Sequence, residues 1–376
     1  MNREHQGDAD EEVQFDRGTE PDFLDPPRDP EELDTEPQKR RLFRSMSRRT
    51  RVILLLITAI IVAGNSVRVP YYSLGPGPAT DVLAALQIED ATRYPSEGEL
   101  LLTTASISSR TLTIFEYMWT FIEPNEDAIH QRFILPPGRT DAEQAAENRR
   151  LMEASKVNAQ RAAFQQLDIP VEQLEAARVL DLLEDAPARG QLEADDLIVA
   201  IDQEPTPDAA AVVEAVRQHQ AGDVIAVTYR RDGAEAEAKI ELGLSDQGAA
   251  TMGVSVIDAF RFPIQVDIET RKIGGPSGGL VFALAIVDAL TEEDLTRGHT
   301  IAVTGTIGFV EGKARVGAIG AIEEKVRGAA GAGADVFIVP AGDAARARAV
   351  APEGMRIEPV DDLAGALAAL RALEPA

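Results

Sequence analysis

The stretch Lys272–Leu290, KIGGPSGGLVFALAIVDAL, sets one serine among four glycines and a proline, then runs straight into apolar sequence. Gly274, Gly275, Gly278 and Gly279 permit backbone conformations that residues with a Cβ resist. The run from Leu280 to Ile286 is apolar all round, the pattern of a segment buried on every side. Ser277 therefore stands at the mouth of a buried helix. It is either the helix cap or a displayed nucleophile. In the second case the free N–H groups and the helix dipole favour the negative charge that develops in acyl transfer.

Outward from this stretch, residues 250–375 alternate strand and helix patterns. A buried strand is expected over Thr300–Ile307 (TIAVTGTI), a helix over Ala321–Gly331, a strand over Val336–Val339 and a terminal helix in VDDLAGALAALRAL. Such alternation points to an α/β or α+β class. Upstream, GELLLTTASI, Gly98–Ile107, reads as a strand. Residues 141–167 are alanine-rich and read as a surface helix, and Pro70–Pro78 as an exit linker. Residues 175–245 form a separate pattern of strand, turn, short helix, strand and helix, closed by a hairpin turning at Asp232-Gly233.

Composition removes whole classes of function. A net charge of −26 over 376 residues argues against nucleic acid, which needs a basic face. With no cysteine there is neither a disulfide nor a thiolate nucleophile or metal site, and no HExxH motif occurs. No metal and no cofactor are expected. The nearest imitation of a phosphate loop, Gly308–Ala314, has the wrong spacing and ends in alanine where a magnesium-holding hydroxyl belongs. Two partners for Ser277 stay open. His130 or His299 would complete a triad with an acid. A lysine would serve once burial lowers its pKa from ~10.4 toward ~7–8. Lys325 sits beside apolar Ile322 and Val326; Lys313 lies between Gly312 and Ala314 in an expected solvated turn.

The N-terminal region has its own logic. Residues 1–38 are acidic and proline-bearing, expected to be a disordered tail. Residues 39–51 are basic, and residues 52–69 read as one transmembrane helix, with Tyr71 and Tyr72 suited to the interface. The cation cluster predicts a cytoplasmic N-terminus, which leaves everything after Pro70 extracytoplasmic. A cleaved signal peptide and a core helix are the alternatives. VAGNS is a poor cleavage site, and a core helix needs no flanking cations.

GGPSGGL, AVTGTIG, VGAIGAIEEKV and ADVFIVP resemble, in order and approximate spacing, the proteolytic domain of Lon-type proteases. The resemblance implies Ser277 as nucleophile and Lys325 as its base, with Thr304 supporting and Gly275, Pro276 and Gly278 shaping the nucleophile turn. Ala186-Pro187-Ala188, Leu192, Asp196, Ile198 and Ile201-Asp202 are similar to a PDZ domain of the kind attached to bacterial envelope proteases. Such domains add a peptide, often a C-terminus, to an open sheet edge. Departures are few: Ala318 replaces a proline, Ala321 and Asp195 each replace a glycine, and Gly278 replaces an alanine. The combination resembles the membrane-tethered Lon-like serine proteases of Gram-positive bacteria, in which the PDZ unit is inserted into the protease domain. That implies an α+β fold with the protease domain split over 79–170 and 250–375 around a PDZ domain at 175–245. The implied activity is an ATP-independent endopeptidase at the cell membrane, acting on protein or peptide substrates. Lon-type domains often form hexameric rings, so a homo-oligomer is compatible. The alternative is an inactive PDZ-bearing membrane scaffold.

Overall fold

The computed structural model describes residues 47–376 except 124, 138, 246, 247, 271 and 272. The expected acidic tail and the basic segment up to residue 46 lie outside the described residues. The chain forms two units, Met1–Ile60 and Ile61–Ala376. What is described of the first is the opening of helix α1, Arg48–Ser66, with Val52, Leu55 and Ile60 exposed. The helix has 19 residues and a mean hydropathy of 1.5. At ~1.5 Å per residue it is about 28 Å long, close to the ~30 Å of a bilayer's hydrocarbon core. It is long and apolar enough to cross a membrane.

In the second unit, Pro70–Pro78 is not a linker but most of strand β1, Tyr71–Asp81. Helix α2 (Val82–Ala85) and strand β2 (Leu86–Glu89) follow, and β3 (Glu99–Ile107) returns antiparallel to β1. The prolines fit because the register shifts between Pro76 and Ala79, a bulge that tolerates residues without an N–H. A Cβ on Gly77 would stand 2.4 Å from Thr104 Oγ1, so only glycine lets the two strands meet there. Helix α3 (Ile114–Trp119) starts from a Thr113–Glu116 capping box, and β4 (Asp127–His130) pairs with β1.

Helix α4, Asp141–Gln166, is also capped by a box, Thr140 with Glu143. It is not the surface helix expected from its composition. Met152, Ser155, Ala159, Ala162, Ala163 and Phe164 are buried on one face. Alanine carries little hydrophobic contrast, so this face is faint in the sequence, yet its small side chains permit close helix packing.

A second sheet follows. It contains β5 (Glu172–Leu182), β6 (Leu197–Ile201), β7 (Glu204–Pro205), helix α5 (Ala209–Arg217), β8 (Val224–Arg231) and β9 (Ala234–Glu241). Short strands β10 (Gly243–Leu244) and β11 (Ala250–Thr251) lead to β12 (Val254–Arg261). The order is β12-β5-β6-β8-β9 with β7 on β6, over a core that includes Val179, Ile198, Ile225 and Ile240. It extends to Arg261 because β12 pairs along β5, past the residue 245 suggested by the sequence. The β8–β9 turn is at Asp232 and Gly233, both at positive φ (50° and 81°), as a two-residue hairpin requires. Asp195, in the glycine position of the resemblance, has φ 70°, a conformation that aspartate tolerates better than most residues. Its neighbour Asp196 is buried and bound by Arg231 at 2.7 Å.

The chain then returns to the first sheet. Strand β13 (Gln265–Ile268) pairs with β2. Helix α6 (Gly279–Leu290), β14 (Thr300–Val303), the hairpin β15 (Thr306–Val310) and β16 (Lys313–Gly317), and helix α7 (Ile322–Gly331) follow. Strand β17 (Val336–Pro340), helix α8 (Ala344–Val350), β18 (Arg356–Val360) and helix α9 (Leu363–Arg371) complete the fold. The sheet order is β18-β17-β14-β3-β1-β4. Strands β3, β14, β17 and β18 run parallel, and β1 reverses. This mixed sheet makes the class α+β. Helix α6 is buried between Leu100 and Leu102 of β3 and the alanine face of α4. Helices α7 and α8 cover the opposite side around Phe337. The expected strand Thr300–Ile307 is broken at Thr304-Gly305, where the chain turns past the mouth of α6.

Ala321, at the start of α7, is held at φ 55° and ψ 45°. A Cβ there costs about 1 kcal/mol or more against glycine, a physical reason for the glycine that the resemblance places at this position. Ala321→Gly is expected to raise the thermal midpoint by a degree or two, in keeping with about 1 kcal/mol over a domain of this size, as read by scanning calorimetry.

Candidate active site

Three segments far apart in sequence hold the serine. In the turn before α6, Gly275 has φ 93° and donates its N–H to the Asn148 carbonyl of α4 at 3.1 Å. The Pro276 carbonyl accepts from Ser155 Oγ, also on α4, at 2.9 Å. The Ser277 carbonyl accepts from the Gly305 N–H at 3.0 Å, and Leu280 N–H donates back to the Gly305 carbonyl at 3.0 Å. The turn is thus clamped from one side by α4 and from the other by the break between β14 and β15. Close approach demands the glycines. A Cβ on Gly279 would stand 2.8 Å from the Ile307 nitrogen, and one on Gly278 would stand 2.7 Å from the Phe282 ring.

Ser277 is half-buried, one residue ahead of the cap of α6. Among the described residues its hydroxyl makes no hydrogen bond, and the N–H groups of Ser277 and Gly278 donate to nothing. An unengaged hydroxyl beside two free N–H groups at a helix mouth has the parts of a nucleophile and an oxyanion hole.

Lys325 lies on the first turn of α7 and is 5% exposed. Its amine donates to Thr304 Oγ1 at 3.2 Å, and that fully buried hydroxyl donates toward the Ser277 carbonyl at 3.5 Å. Thr304 thus stands between the amine and the Ser277 turn. Desolvation pulls the Lys325 pKa down to about 8, partly opposed by the Asp343 carboxylate. The adjacent acids face elsewhere. Glu323 binds Arg346 at 2.6 Å. Glu324 is buried near Arg327 and Asp127, and burial pushes its carboxyl pKa up.

The rival partners are remote in role. Lys313 is exposed at the β15–β16 turn. His130 meets the Tyr71 ring edge-on, and His299 bonds the Glu374 carbonyl at 2.8 Å. Three contributors were not anticipated from sequence: Asn148 and Ser155 as clamps, and Asp343 as the acid acting on Lys325. Nothing local marks them, because each acts across a tertiary contact. Ser155→Ala is expected to cost about 1 kcal/mol of stability. It should also lower kcat several-fold with KM nearly unchanged, since Ser155 is buried beneath the turn and the change loosens it; steady-state peptide cleavage checks this.

Residues 252–370 match the Lon protease (S16) C-terminal proteolytic domain, and residues 156–242 match the PDZ domain. A Lon protease from Mesomycoplasma hyopneumoniae (strain 232) is 31% identical over 121 residues, covering 32% of this chain and 13% of that protein. The chain therefore spans only about an eighth of that relative's length. Among solved structures, the PDZ domain of an SdrC-like protein from Listeria monocytogenes is 22% identical, covering 23% of this chain and 90% of that one, with a TM-score of 0.22. The PDZ domain of an SdrC-like protein from Listeria innocua is 28% identical, covering 22% and 92%, with a TM-score of 0.21. The chain carries a PDZ domain followed by a Lon-type (S16) proteolytic domain.

Proposed function

We propose that this chain is a membrane-tethered serine endopeptidase with Ser277 as nucleophile and Lys325 as general base. The observation that carries this reading is the buried Lys325 amine, its pKa drawn to about 8, joined through Thr304 to the nucleophile turn. A neutral amine accepts a proton; an ammonium ion does not.

In the cycle, Lys325 takes the Ser277 proton as the hydroxyl oxygen bonds to the scissile carbonyl carbon. The N–H groups of Ser277 and Gly278 hold the resulting oxyanion. Lys325 then protonates the leaving amine. Water, deprotonated by the same lysine, releases the acyl group and restores the serine. Thr304 keeps the neutral amine aimed along the turn. No step consumes ATP.

The apolar α1 and the cations before it support a single-pass tether with a cytoplasmic N-terminus, and so an extracytoplasmic protease. The PDZ domain supports recruitment or gating of substrates through extended, often C-terminal, peptide segments. The full chain in vesicles is expected to digest casein without ATP and to take a fluorophosphonate label on Ser277. Ser277→Ala should lose both. Digestion that persists in Ser277→Ala, or label on another residue, would overturn the assignment.

A further inference from the structure

We propose that Met118, Trp119, Phe121 and Ile122 form a lipid-contacting patch that lays the protease unit on the membrane surface beside the exit of α1. This rests on the membrane-tether reading above.

The four side chains are 56%, 58%, 73% and 71% exposed. They occupy the end of α3 and the turn after it, separated only by buried Thr120. A soluble surface rarely leaves so many large apolar groups contiguous and bare. The patch is rigidly held. The capping box fixes the start of α3, Glu116 is bound by Arg110 at 2.6 Å, and Tyr117 packs on Tyr71 with ring centroids 4.6 Å apart. The Phe121 ring meets Tyr117 edge-on at 5.2 Å. The exposure is therefore built into the fold.

Its location identifies the occupant. The Ile114 N–H donates to the Val67 carbonyl at 3.1 Å, and the Val69 N–H donates to the Leu112 carbonyl at 2.8 Å. Arg68 Nη1 donates to the Thr111 carbonyl at 2.7 Å. A Cβ on Gly64 would overlap the Phe115 ring, so glycine allows that ring onto the last turn of α1. Helix α3 is thus stitched to the residues at which the apolar helix ends. If α1 spans the bilayer, this is the level of the headgroups, where tryptophan and other amphipathic rings concentrate. A short apolar face there enters the boundary between headgroups and acyl chains.

Trp119 is the only tryptophan in the chain, so its fluorescence reads the patch directly. The full chain is reconstituted into vesicles of equal parts phosphatidylethanolamine and phosphatidylglycerol, with brominated lipid as quencher. Trp119 emission should shift to the blue, resist iodide, and be quenched most by bromines high on the acyl chain. Phe121→Ser with Ile122→Ser, at two exposed positions, should keep vesicle association through α1 while losing most of that quenching and regaining iodide sensitivity. Chain that resists alkaline extraction yet shows red, iodide-accessible Trp119 emission would overturn the patch and leave the tether standing. Chain that washes off the vesicles would overturn the tether, and the patch with it. Iodide protection without bromine quenching, rising with protein density, would mean that a second copy covers the patch and would equally overturn the proposal.

Discussion

Lys325→Ala is expected to lower kcat/KM for a peptide substrate by about a thousandfold or more. Ser277→Ala should match it, and the double variant should be little worse than either, because the two groups act as one unit. The wild-type pH profile supplies the sharper signature. The proposed base must be the neutral amine, and burial draws the Lys325 pKa to about 8. The rate should climb roughly tenfold per pH unit below that value, reach half its maximum near it, and level off above. Asp343 raises this pKa, so Asp343→Asn should move the midpoint to lower pH. A flat profile across neutrality, or a midpoint unmoved in Asp343→Asn, would count against Lys325 as base.

Lys325→Met is expected to stabilise the protein while silencing it. The folded-state pKa of Lys325 lies below the ordinary value, 10.5 against about 8. Below pH 8 both folded and unfolded chains carry the proton, and the folded state bears the full burial penalty, roughly 3 kcal/mol at about 1.4 kcal/mol per pKa unit. Between pH 8 and 10.5 the folded chain binds fewer protons, so this penalty fades as pH rises; above 10.5 it is gone. Methionine removes the charge and leaves Thr304 Oγ1 without its donor, a loss of about 1 kcal/mol. The net gain at pH 7 is therefore about 2 kcal/mol. Denaturant midpoints of variant and wild type should differ at pH 7 and converge near pH 10. A variant less stable at pH 7 would mean that the ammonium is better solvated than its burial implies.

Much of this site is legible in the chain because glycine, proline and serine punctuate it locally. The run around Ser277 marks a helix mouth, open between a cap and a nucleophile until the motifs around Thr304 and Lys325 are read with it, and the burial of Leu280 to Ile286 follows from unbroken apolarity. The Asp232-Gly233 hairpin is equally explicit. What sequence hides is of two kinds. Pro76 and Pro78 look like linker residues until β3 supplies a partner and a bulge absorbs them. The alanine face of α4 has too little polarity contrast to announce itself, although it packs on α6 and α4 carries both clamps on the Ser277 turn. Thr304 sits in what reads as a continuous strand, and only the pairing of β14 with β3 and β17 shows where that strand must end.

Strands β3 and β14 lie side by side, with the Thr103 hydroxyl donating to a carbonyl 200 residues further along, at Val303. A ribosome delivers β3 long before β14, and the whole PDZ sheet emerges between them. Leu100 and Leu102 must therefore wait, uncovered, until the intervening domain has been made and its two ends brought together. That order also keeps Ser277 and Lys325, both beyond the PDZ sheet in sequence, from meeting over a finished sheet until β14 has joined β3. It also means that residues 252–370 expressed alone should present the bare edge of β14 and aggregate, whatever the merit of their sequence match.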